Sequence, residues 1–362
     1  MEQVLKKSLN IKQLAMKNCA ILFIIVSGFA LGTGCKKNED VNPLPQTKDV
    51  YLGGYTFDPT GKTTAAYWKN GNITLLGNGT VDTKVNSIAV SGSDIYTAGA
   101  TADATNSYYM AAYWKNNTLY TLSGSGQDGE ANAVAVSNND VYIAGTEYNG
   151  AGLSVAKYWK NGTAVILPVD NPGNAAYATS IFIQGNDVHV AGTEYNGAGL
   201  SVAKYWKNGV ATNLTNGTNQ AFAYSIFVNG NDVYVAGEEY QGGKRTAKYW
   251  KNGVPVVLGN GVNQSYATSI AVNGNDVYVA GTEGLGGGYY RAMLWKNGVP
   301  VTLAEPDDCE ANAVSISGND VFLTGSTTGS SSRRAVYWKN SQRFFADNST
   351  AYQSQALGIF VK

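Results

Sequence analysis

The chain has 362 residues, of which 44% are apolar, only 14% are charged, 43 are glycine and one is histidine. Basic and acidic residues balance at 26 each, so the excess of positive charge that a nucleic-acid or anionic-membrane binder needs is missing. A histidine-based metal site is excluded, and a Ser-His-Asp triad would have His189 as its sole imidazole.

Residues 1–34 read as a secretory signal. Lys6, Lys7, Lys12 and Lys17 form a basic start, and residues 20–31 form an apolar run. That run is shorter than the roughly 20 residues of a membrane-spanning helix. Gly32-Thr33-Gly34-Cys35 follows, then Lys36-Lys37-Asn38-Glu39-Asp40. Small residues just before a cysteine resemble a bacterial lipoprotein cleavage site, although Leu31 stands one place further from the cysteine than the usual aliphatic residue. The looser form, with acidic residues soon after, is similar to the lipoprotein signals of Bacteroidota. The resemblance implies lipidation at Cys35, anchoring to the outer membrane through lipid alone, and display at the cell surface. A plain secreted protein is the alternative. Cleavage would leave a net charge of about −3. Cys19 would leave with the signal and Cys35 would carry lipid. Cys309 then has no disulfide partner and reads as an inert thiol. Residues 35–48, polar with two prolines, read as the lipidated cysteine and a flexible tether.

From residue 49 to 362 the chain is periodic. All seven tryptophans (Trp68, Trp114, Trp159, Trp206, Trp250, Trp295, Trp338) sit in one motif, aromatic-or-Leu followed by Trp-Lys-Asn, at intervals of 43–47 residues. A second motif, Asp-(Val/Ile)-aromatic-or-His, recurs in phase at Asp49, Asp94, Asp140, Asp187, Asp232, Asp276 and Asp320. A third, of the Ser-Ile-x-Val type, starts near Ser87, Ala133, Ser180, Ser225, Ser269, Val314 and Gly358. Such periods, filled with short β-branched and aromatic runs between Asn-Gly turns, mark propeller blades. Each repeat predicts four strands: a (as in 87–90), b (277–281), c (ending at Trp250) and d (254–258). The first repeat lacks strand a, and residues 356–361 form a strand a with nothing after it. The expected fold is therefore all-β: a seven-bladed β-propeller of four-stranded antiparallel blades, its ring closed by the C-terminal strand completing the first blade. An open solenoid would have no use for the split repeat. Strand a, rich in Ala and Ser, is expected innermost, with the tryptophans further out as packing between blades.

Antiparallel order puts the a–b and c–d turns, short and uniform, on one face. The longer, variable b–c and d–a loops fall on the other, where a rigid frame usually carries its sites. Candidate ligand-binding residues there are Tyr108, Tyr109, Tyr148, Tyr195, Tyr240, Tyr289 and Tyr290 in b–c loops, and Asp128, Asp307 and Asp308 among the d–a acids, which also include Glu130, Asp170 and Glu310. Tyrosine with Asn and Gly suits carbohydrate or protein recognition, while packing on the blade edge competes as an explanation. Asp307-Asp308-x-Glu310 lacks the spacing of a calcium loop and reads as solvated acid, so no metal and no cofactor is expected. Glu147, Glu194, Glu239 and Glu283 recur after strand b. Lys157, Lys204 and Lys248 accompany the first three, and both types vanish together in the three blades with Thr56, Thr101 or Thr327 at the Glu position, which favours cross-strand salt bridges over a catalytic carboxylate pair; in the sixth blade Met293 breaks the pairing, with Arg291 two residues away. His189 replaces the Tyr or Phe of the other blades and reads as scaffold. Residues 144–162 and 191–209 are identical, two equal loops in adjacent blades.

The WKNG and NDVYVAG repeats resemble those of Bacteroidota propeller lipoproteins. The resemblance implies the fold and the anchor rather than an activity. The leading expectation is a surface-anchored, non-enzymatic binding module for glycan or protein, monomeric and without nucleic-acid partners. A scaffold subunit of an outer-membrane complex and a polysaccharide-active enzyme are the alternatives. No residue is assigned a catalytic role.

Overall fold

A computed structural model describes residues 48–362, apart from 125, 305, 307, 328–332 and 347–352. The expected signal, Cys35, most of the tether and Asp307 lie outside the described residues. Every described element is a strand, and the strands form seven antiparallel four-stranded sheets. Blades 2 to 7 each take four consecutive strands. Blade 1 is assembled from both ends of the ring: strand a is Gln353–Val361, b is Val50–Phe57, c is Thr63–Lys69 and d is Asn72–Leu75. The two terminal strands pair from Val50↔Val361 to Phe57↔Gln353, and Asp49 and Lys362 exchange two backbone hydrogen bonds of 3.0 Å. Neighbouring a strands touch all the way round, so they form the inner wall. The split repeat is thus the closure of a seven-bladed ring.

Strand a is longer than its motif suggests. In blade 2 it runs Thr83–Ser91, four residues ahead of the Ser-Ile signature. Every blade carries a register shift just before that signature, as between Val85 and Ser87 or Ala223 and Ser225. One extra residue breaks the alternation and re-aims a side chain, which hides the first half of the strand from a period-2 reading. Glu130 and Glu310, expected in d–a loops, accordingly lie on strands a of blades 3 and 7 (Gly129–Ser137 and Cys309–Ser317).

The bulge residue ties blade to blade. Asn132 Nδ2 donates to Ala178 O at 2.8 Å, Thr179 Oγ1 to Ala223 O at 2.8 Å, Thr268 Oγ1 to Ala311 O at 2.8 Å and Asn312 Nδ2 to Ala356 O at 2.8 Å. The serine after the bulge accepts from the next blade: Ile226 N donates to Ser180 Oγ at 3.2 Å and Val314 N to Ser269 Oγ at 3.1 Å. Serine is therefore needed as an acceptor as well as for its size. The tryptophans, each at most 2% exposed, fill the wedge between blades. Trp206 packs on Tyr142, Ala144, Ala156 and Leu167 of blade 3, and its indole N–H donates to Pro168 O at 2.7 Å. A Cβ on Gly192 would meet the Trp206 ring at 3.0 Å and the Tyr177 carbonyl oxygen at 2.0 Å, which explains the glycine in each strand b.

Candidate functional site

The uniform face is saturated. In blade 5, strand b is Asp232–Gln241 and strand c is Lys244–Lys251. Asn252 sits in the left-handed region (φ 51) and donates to Asp232 Oδ1 at 2.7 Å, while Lys251 pairs with Asp232 Oδ2 at 2.8 Å. Val233 N donates back to Asn252 Oδ1 at 2.8 Å. Lys251, then Asn252, hold the carboxyl below its usual range. The Asp-Val-Tyr and Trp-Lys-Asn-Gly motifs are thus two halves of one lock joining the a–b and c–d turns. It recurs in every blade, leaving little unused polarity for a ligand.

On the opposite face, the recurring glutamates pair with lysines as expected. Glu147 meets Lys157, Glu194 meets Lys204 and Glu239 meets Lys248, each diagonally across strands b and c; Arg291 reaches Glu283 at 3.8 Å. Asp128 is occupied in the frame, since its Oδ1 accepts from Tyr109 N at 2.8 Å. Tyr108 and Tyr109 are exposed on blade 2, and Tyr109 begins strand c there rather than lying in a loop. Tyr289 is 60% exposed, and Asp308 takes a left-handed turn (φ 56) just before strand a of blade 7. Tyr148, Tyr195 and Tyr240 end strands b rather than lying in loops, and Tyr289 and Tyr290 begin strand c of blade 6 (Tyr289–Lys296).

Of the candidates, Tyr290 lines an open cavity. A cavity of about 350 Å³ opens at the inner rim over blade 6, walled by Tyr224, Tyr266, Thr268, Thr282, Tyr290, Glu310 and Asn312. The repeat breaks beside it. Tyr224 occupies the bulge position of blade 5 (strand a, Ala221–Asn229), where five other blades place the Asn or Thr of the inter-blade tie. Its phenol instead donates to Glu238 Oε1 at 3.0 Å. Glu238 replaces the threonine that in blades 4 and 6 accepts from the next blade's backbone, as Thr193 Oγ1 does from Ala223 N and Thr282 Oγ1 from Ala311 N. Both replacements fall where blade 5 faces blade 6, and the cavity lies at that junction.

Glu238 is fully buried. Arg245 Nη1 reaches its Oε1 at 3.0 Å, while Oε2 has no hydrogen-bond partner. Burial pushes its carboxyl up to about 7 against the opposing pull of Arg245 and Tyr224. The Arg245 guanidinium also donates to Tyr240 Oη at 2.7 Å and lies 5.3–6.0 Å from the ring centres of Tyr240, Tyr266 and Phe222. Tyr240 is therefore a support of this cluster. Sequence reasoning missed Tyr224, Glu238, Arg245 and Tyr266. The signal was present as departures from the repeat: Gly-Glu-Glu-Tyr where the duplicated blades read Gly-Thr-Glu-Tyr, and tyrosine at a position of Asn or Thr.

No family model and no curated protein matches the chain. Among solved structures it is similar to a puromycin-hydrolysing peptidase from Mycobacterium tuberculosis, at 12% identity and a TM-score of 0.57 over 83% of this chain and 52% of that one. It is equally similar to a puromycin hydrolase, at 11% identity and a TM-score of 0.57, again over 83% and 52%. The chain spans about half the length of these structures. At such identity the likeness shows the fold alone. It corrects one expectation, that the chain is no enzyme: the architecture it shares occurs in hydrolytic enzymes. The repeat-breaking cluster also sets one buried acid, Glu238, against a fixed basic partner, Arg245.

Proposed function

We propose that the propeller binds a neutral, hydroxyl-rich ligand, a glycan, in the cavity between blades 5 and 7. One observation carries the reading: the frame gives up two inter-blade ties where the cavity opens, and fills their places with Tyr224 and Glu238. Scaffold positions are surrendered where something else is gained. The three tyrosine rings supply flat apolar faces for the C–H side of a sugar, and the Glu310 carboxylate and Asn312 supply polar edge for hydroxyls. Anchoring through Cys35 at a cell surface belongs to the same reading and is tested by the mass of the mature N-terminus. A second reading, cleavage of the bound polysaccharide, is favoured by Glu238, a carboxyl pushed to about 7 directly behind the wall residue Tyr224.

The experiment is a glycan array probed with the full chain in detergent, alongside Tyr224→Thr and Tyr266→Ala. Saturable binding lost in both variants supports the reading. Tyr224→Thr copies the residue type of Thr179 and Thr268 and restores the tie, so it is expected to lose ligand without losing thermal stability. Binding that survives both substitutions refutes the site. Release of shorter sugars from a bound glycan would favour the second reading.

A further inference from the structure

We infer that the ligand is a chain, an oligosaccharide several units long that leaves the cavity along the inner rim over blades 5 and 4 toward Tyr148 of blade 3. The inference rests on the glycan reading above and adds the ligand's length and course. Because the a strands touch all round the ring, the residue two before the bulge in each strand a lies on one circle. In blade order that residue is Gln355, Lys84, Glu130, Tyr177, Phe222, Tyr266 and Glu310. The aromatic members are consecutive and the charged or amide members fill the rest, so the rim is divided into two sectors.

The aromatic sector consists of two ring groups on adjacent blades, one about Tyr177 and one about Phe222. Tyr195 meets Tyr177 edge-on at 6.1 Å, and the Tyr148 phenol lies beside that of Tyr177. Phe222 stacks with Tyr224 at 6.2 Å, and Arg245 lies beside Phe222, Tyr240 and Tyr266 together. Tyr266 and Tyr224 then enter the cavity wall. Tyr148 is 41% exposed, and Tyr177, Tyr195, Phe222 and Tyr266 are half-buried, so none of these rings is spent in the core. A row of amphipathic rings matches the alternating C–H faces and hydroxyl edges of successive sugar units. Apart from Glu310 in the cavity wall, the other sector is satisfied internally: Lys84 pairs with Glu130 at 2.6 Å, Asn86 donates to Glu130 at 2.7 Å, and Arg333 donates to Gln355 Oε1 at 3.0 Å. Stripping water from such groups gains little, which directs a long ligand to the aromatic side.

The test is calorimetric titration of the full chain in detergent with neutral gluco-, manno- and xylo-oligosaccharides graded from disaccharide to octasaccharide. For the class that binds, affinity is expected to rise by about tenfold or more with length. Tyr177→Ala with Tyr195→Ala should abolish that rise and leave disaccharide affinity unchanged, and Tyr195→Ala alone, at a half-buried ring beside a loop, should act in the same direction. Tyr177→Phe, which keeps the ring, should preserve the rise. Equal affinity for short and long ligands, or an undiminished rise in folded alanine variants, overturns the course along the rim and leaves the cavity reading standing. Binding of no oligosaccharide of any length overturns the glycan reading itself, and this inference with it.

Discussion

His189→Tyr is expected to stabilise the protein. His189 is 1% exposed, and both of its ring nitrogens are buried without a hydrogen-bond partner. The equivalent residue in five other blades is a tyrosine whose phenol reaches the adjacent aspartate at 3.2–3.5 Å, with a lysine over its ring at 5.2–5.5 Å. Asp187 and Lys207 are already paired at 2.8 Å and ready to receive that tyrosine. An unmet buried polar group costs about 1–3 kcal/mol, so removing two of them should yield about 2 kcal/mol after some repacking. For a domain of this size that corresponds to a rise in Tm of about 4 °C. A pH signature accompanies it. Burial, with help from Lys207, holds the His189 pKa below its ordinary 6.5. The folded state therefore keeps the ring neutral, while the unfolded chain takes up a proton below that pH. The native protein loses stability as pH falls from 6.5 toward the lowered value, by at most about 1.4 kcal/mol per pH unit, and the variant does not. Scanning calorimetry of both proteins at pH 7 and pH 5.5 measures the two effects. An unchanged or lower Tm at pH 7, with no wider gap at pH 5.5, would refute the reasoning.

Other outcomes follow from the same geometry. Trp206→Ala, which empties the wedge between blades 3 and 4 and orphans the Pro168 carbonyl, should cost about 3–5 kcal/mol in denaturant unfolding. Glu238→Gln should flatten the pH dependence: a carboxyl raised from 4.5 to about 7 destabilises the fold progressively as pH climbs through that window. The variant should therefore gain about 2–3 kcal/mol on the native protein between pH 4 and pH 8, read from denaturation midpoints at the two pH values. Ending the chain at residue 352 removes strand a of blade 1 and the bonds of Val50–Phe57 to it. The single cooperative transition should then be lost, and a truncated chain that still melts in one step at the native temperature would contradict closure by the terminal strands.

Much of the frame was legible because scaffold demands repeat. The Trp-Lys-Asn-Gly and Asp-Val-Tyr motifs recur since each blade needs the same lock, and the unpaired strand at 356–361 announced how the ring closes. What stayed hidden has specific causes. The bulge broke the alternation of strand a, so Glu130 and Glu310 were assigned to loops. The cavity unites Tyr224, Tyr266, Tyr290 and Glu310, which lie far apart in the chain and meet through the radial order of blades 5 to 7.

The duplicated segment shows the limit most directly. Residues 144–162 and 191–209 are identical, and both fold into the same Asx turn: Asn149 Oδ1 accepts from Ala151 N, and Asn196 Oδ1 from Ala198 N, at 3.0 Å. Yet Lys157 retains some exposure beside Glu147, whereas Lys204 is completely buried between Glu194 and Asp170, the latter at 2.8 Å. The sequence by itself determined the blade, its turns and the number of its copies, because those depend on hydrogen bonds and packing that each repeat carries within itself. Which lysine is sealed, which rim residues meet and where the cavity opens were decided by the tertiary structure, because burial and charge pairing belong to the neighbours that the ring brings alongside.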